Sequence, residues 1–174
     1  MKNKHEHKEG FECEACRDGA EAVRERERKA MEKMGWYVHF VPGDKNFPYD
    51  MNVHTHGVEE TFKHPDIQIC AGLPSAIALS ILTTAVEDYI RKGKEFKAGK
   101  FYDGLIKPAP DLEGVLKMEV LFLEATENGR PVLRMILPGK LGEFSSEFPI
   151  TQTKDCTIPD TLKSLLSGEY SGIN

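Results

Sequence analysis

Residues 115–138 read VLKMEVLFLEATENGRPVLRMILP. Two runs rich in Val, Leu, Ile and Phe, 115–126 and 131–138, flank Asn128-Gly129, a pair that accepts positive φ and closes tight hairpins. This stretch predicts two paired antiparallel strands, and a sheet is needed to cover their apolar faces. Upstream, 75–93 (SAIALSILTTAVEDYIRKG) is apolar on more than half of a helical circumference. Pro74 suits its first turn, and Arg91, Lys92 and Gly93 suit its end. Three further stretches read as strands: WYVHFVP (36–42), which alternates with period two, 50–56, and the apolar DIQICA (66–71). Strands and helices mix without strict alternation. The expected class is α+β: a single domain with a largely antiparallel sheet packed on one long apolar helix, plus an N-terminal charged helix.

That charged helix follows Asp18. Asp18 with Glu21 forms a capping-box pattern, Glu25 with Lys29 and Arg28 with Glu32 are i,i+4 ion pairs, and Gly35 stands where a C-terminal cap belongs. Ala20, Val23, Ala30, Met31 and Met34 make only a thin apolar stripe, as expected of a covering helix. We divide the chain into a flexible Cys- and His-containing arm (1–17), the α+β domain (18–150) and an irregular C-terminal tail (151–174).

The whole is 174 residues with a net charge of -5, 40% hydrophobic and 29% charged. One domain of ordinary globular composition fits these values. The acidic balance argues against nucleic acid as a partner. No run approaches the ~18 apolar residues of a membrane span, and the opening MKNKHEHKEG lacks an export-type apolar core, so a cytoplasmic location is expected.

Chemistry concentrates in the histidines. His54 and His56 lie two apart on a predicted strand, so both rings face one side, roughly 6.5 to 7 Å apart at the backbone. His39 is on the neighbouring strand and His64 in the following loop. Three neutral imidazoles with an open fourth position suit zinc and an activated water, with Glu59 or Glu60 as proton acceptor. The alternative is structural: rings satisfied by backbone carbonyls or by Asp50 or Asp66. Cys13 and Cys16 in the arm supply half of a structural zinc site, which His5 and His7 or a second chain would complete; in the latter case the arm staples a homodimer. Cys70 reads as a core thiol. No Gly-rich phosphate loop is present.

The succession Cys-x-x-Cys, G-W-Y-V-H-F-V-P, N-V-H-T-H-G-V, H-P-D-I-Q-I, G-L-P and V-L-R-M-I-L-P-G-K-L-G resembles the bacterial domain-of-unknown-function 4262 family over most of residues 13 to 145. In that family the block at 54–57 commonly appears as Y-T-x-G, so this chain looks like a branch with histidines there. The resemblance implies a compact bacterial cytoplasmic α+β domain, aligns Gly57, His64 and Pro65 with motif positions, and carries no catalytic residue. From the residues themselves, two functions are expected. One is a His-based metal site at His39, His54, His56 and His64 for metal-assisted hydrolysis of a small molecule. The other is a non-enzymatic module binding a small ligand or a protein, with structural histidines.

Overall fold

The computed structural model describes residues 17–42, 51–107, 118–139, 152–153 and 155–167. Six strands form one sheet: β1 (Tyr37–Pro42), β2 (Met51–His56), β3 (Asp66–Cys70), β4 (Lys100–Ile106), β5 (Met118–Glu127) and β6 (Arg130–Ile136). Their spatial order is β1-β2-β3-β6-β5-β4. Every neighbouring pair is antiparallel except β3 with β6, so the sheet is mixed and the fold is α+β. The Asn128-Gly129 turn forms as expected, with φ of 50° and 77° and Glu127 opposite Arg130.

One face of the sheet carries the main core. Val53, Ile67, Ile69, Phe122, Leu133 and Met135 are buried there with Ala78, Ile81, Leu82, Ala85, Val86 and Ile90 of the helical stretch. That stretch is not the single long helix expected. It is divided into α3 (Ser75–Thr83), a π-helical turn (Thr84–Tyr89) and a 3-10 turn (Ile90–Lys92). A π turn rotates the side chains that follow it, which resets the residues presented to the sheet. The apolar character over more than half of the circumference is also not fully used: Ile77 and Leu79 stay exposed.

The opposite face is apolar at one side only. Leu121, Leu123 and Ile136 pack there with Phe101, Cys156, Ile158 and Leu162. The segment expected as an irregular tail supplies this cover: Thr157 pairs with Glu124, and α4 spans Asp160–Ser167. Strand β4 is also absent from the sequence expectation. Its KFYDGLI pattern is broken by a register shift between Tyr102 and Ile106. Gly104 sits in that break at φ 79°, and a Cβ there would come within 2.5 Å of the Tyr89 hydroxyl, so a bulge glycine hides the period of two.

The charged helix α1 (Ala20–Met34) buries no residue and ends on Gly35 in the left-handed conformation, as expected of a cover. Its capping box does not form. Gly19 is the N-cap, and the Asp18 carboxylate instead accepts from Arg17 Nε and Arg26 Nη1, each at 2.8 Å. The i,i+4 pairs Glu25–Lys29 and Arg28–Glu32 are present. The end of α1 is pinned to the end of β2 at Gly57 (φ 90°), where a Cβ would lie 2.6 Å from Met31 Sδ and 2.7 Å from the Gly35 carbonyl oxygen. Short helix α2 (Val58–Phe62) follows at once. The Asp66 carboxylate caps it, accepting from the Val58 amide at 3.1 Å and from the Thr55 hydroxyl at 2.8 Å. Among the described residues, no helix is long and apolar enough to cross a membrane.

Candidate metal centre

The antiparallel register of β1 with β2 sets Tyr37 opposite His56 and His39 opposite His54. Directly opposed residues share a face of the sheet, and so do residues two apart on one strand. His39, His54 and His56 therefore converge on the face away from the main core. One nitrogen from each ring lies within 4.8 Å of the other two. The His54 and His56 rings are 4.8 Å apart, centroid to centroid, and nearly perpendicular. The His39 ring lies 5.2 Å from His54 and 5.7 Å from His56. Tyr37 stacks on His56 at 5.0 Å.

Accessibility is graded across the group: His54 is buried, His56 half-buried and His39 exposed. Burial, reinforced by the adjacent His56 and His39, pushes His54 down to about 3. Burial and His39 also hold His56 below the usual histidine range. Both rings are thus neutral at pH 7, the form that offers a lone pair to a metal.

Further partners lie across the sheet. His54 is opposite Gln68 on β3, and Gln68 is opposite Arg134 on β6. His54 Nδ1 is 3.1 Å from Asn52 Oδ1. Asn52 Nδ2 donates to Glu127 Oε2 at 2.9 Å. Gln68 Nε2 donates to Asn52 Oδ1 at 3.1 Å and also to Glu127 Oε2. Arg134 Nε donates to Gln68 Oε1 at 2.7 Å, and its Nη1 to the Gln152 carbonyl at 3.2 Å. Sequence reasoning missed Asn52, Gln68, Glu127 and Arg134, although polar residues inside apolar strands were a visible signal.

The remaining sequence candidates fall elsewhere. His64 is outside the group: it packs edge-on against Phe96, its Nδ1 is 2.7 Å from the Pro65 carbonyl, and its Nε2 accepts the Phe96 amide at 3.0 Å. With both nitrogens engaged by backbone, this ring has no lone pair left for an ion. Glu59 and Glu60 are exposed on α2, and no described bond joins their carboxylates to the histidines. Asp66 serves Thr55 and Val58 rather than a histidine. Cys13, Cys16, His5, His7 and Asp50 lie outside the described residues. Cys70 is a buried free thiol whose pKa burial pushes up to about 12.

A model of the family described as domain of unknown function (DUF4262) matches residues 30–147. The chain belongs to this family. The match encloses all three converging histidines together with Asn52, Gln68, Glu127 and Arg134, and leaves Cys13 and Cys16 outside. No curated protein and no solved structure shows a significant match to the chain.

Proposed function

We propose that His39, His54 and His56 bind a divalent transition-metal ion, with zinc as the leading candidate. The observation behind this reading is the convergence of three ring nitrogens within 4.8 Å. In a tetrahedral site with Zn–N near 2.0–2.1 Å, ligand nitrogens stand about 3.3 Å apart. Ring movement would have to close the remaining distance, and His39, the exposed member of the group, is the ring least constrained by burial. Three ring nitrogens would leave the fourth position open. A divalent ion held by these residues would lower the pKa of a water in that position toward neutrality, chemistry that suits hydrolysis of a small molecule. The free thiols of Cys70 and Cys156 agree with a reducing, cytoplasmic setting.

Metal analysis of full-length protein purified without an affinity His tag tests the reading. About one zinc per chain is expected in the wild type and in Cys13→Ser, and none in the His54→Ala, His56→Ala double variant. Absence of metal from all three would sink the reading. Retention by the double variant with loss from Cys13→Ser would assign the ion to the arm, in favour of a zinc staple.

A further inference from the structure

We infer that Asn52, Gln68, Glu127 and Arg134 are positioning residues that lock His54 in the tautomer protonated at Nδ1, leaving Nε2 as its metal-binding nitrogen. The inference rests on the metal reading only for the role of Nε2. The tautomer follows from the hydrogen bonds alone.

Two groups in the network have fixed polarity. A carboxylate only accepts and a guanidinium only donates. The Glu127 carboxylate therefore faces the amide nitrogen of Asn52, at 2.9 Å, which turns Asn52 Oδ1 toward His54. From the other side, Arg134 faces the amide oxygen of Gln68, at 2.7 Å, which turns Gln68 Nε2 toward Asn52 Oδ1 and Glu127. The two anchors agree. Each amide is held in one orientation from opposite ends of the network, and the atom 3.1 Å from His54 Nδ1 is an acceptor. His54 must then donate from Nδ1.

Asn52, Gln68 and Arg134 are all buried, at 4%, 0% and 1% exposure, so water has little access to scramble the amides. The arrangement is the amide-relayed counterpart of the carboxylate–histidine pairs that orient metal ligands, whose loss costs 10–100-fold in metal affinity. Glu127 accordingly acts on the site through Asn52 rather than by touching the ion.

Nitrogen-detected imidazole NMR of the metal-free protein reads the tautomer directly. In the wild type, His54 is expected to show a pyrrole-type δ1 and a pyridine-type ε2 nitrogen. Asn52→Leu should mix the two tautomers and weaken zinc binding about 10–100-fold. Glu127→Leu should shift the same ratio by less, because Gln68 still donates to Asn52 Oδ1. His64, fixed independently by Pro65 and Phe96, is the internal control and should keep its signals in every folded variant. A wild-type His54 protonated at ε2 overturns the inference, and that result needs no variant to fold. An unchanged ratio in both folded variants overturns it as well. A δ1-protonated His54 in a protein that takes up no zinc upholds the tautomer lock and refutes the metal reading, so the two fail separately.

Discussion

Acidification from pH 6.5 to pH 3 should strip the metal-free protein of on the order of 5 kcal/mol of stability through His54 alone. An unfolded histidine titrates near 6.5, whereas burial with His56 and His39 alongside pushes the folded His54 down to about 3. Between those values the unfolded chain binds a proton that the folded chain refuses. The contribution is complete above pH 6.5 and is lost as pH falls to 3. His56 and His64, also held low by burial, act in the same direction. Asp66 opposes them at the acid end, since burial raises its carboxyl and favours the protonated folded form. Total stabilities are typically 5–15 kcal/mol, so the effect should appear as acid unfolding. Urea melts at half-unit pH steps would measure it. His54→Gln should flatten the dependence, and an unchanged slope in that variant would refute the buried neutral state of His54.

Arg134→Met should cost about 3–5 kcal/mol, the sum of an unsatisfied buried acceptor and imperfect refilling of the space. The side chain is fully buried and supports the Gln68 amide oxygen and the Gln152 carbonyl. Gln152 in turn exchanges bonds with Leu137: its Oε1 accepts the Leu137 amide at 2.8 Å, and its Nε2 donates to the Leu137 carbonyl at 3.3 Å. The variant should therefore loosen the C-terminal cover as well as the histidine network. Chemical denaturation gives the size of the loss, and amide exchange at Leu137 and Thr157 gives its place. A loss below about 1 kcal/mol would show that Arg134 does not organise these acceptors.

The histidine pair on β2 was legible because strand geometry puts residues 54 and 56 on one side wherever the strand lies. His39 required one more step, the pairing of β1 with β2, which the alternating WYVHFVP run suggested but whose register no local pattern specifies. His64 was misplaced for a physical reason: Gly57 and α2 redirect the chain after His56, and the ring ends among Phe96 and backbone groups. Glu59 and Glu60 looked close in sequence, yet the carboxylate bonded into the network is Glu127, brought there by strands distant in the chain. Gln68 beside Arg134 depends on the parallel β3–β6 contact, a pairing that neither hairpins nor periodicity could supply. The helix interrupted by a π turn and the bulged β4 were hidden likewise, since both break the periods by which elements are read.

X-ray absorption at the zinc edge of the zinc-loaded, full-length protein tests the central claim most directly. Three histidines as ligands predict imidazole-type nitrogen scatterers at ~2.0–2.1 Å with no sulfur. Sulfur at ~2.3 Å would place the ion on cysteine and contradict the site at His39, His54 and His56.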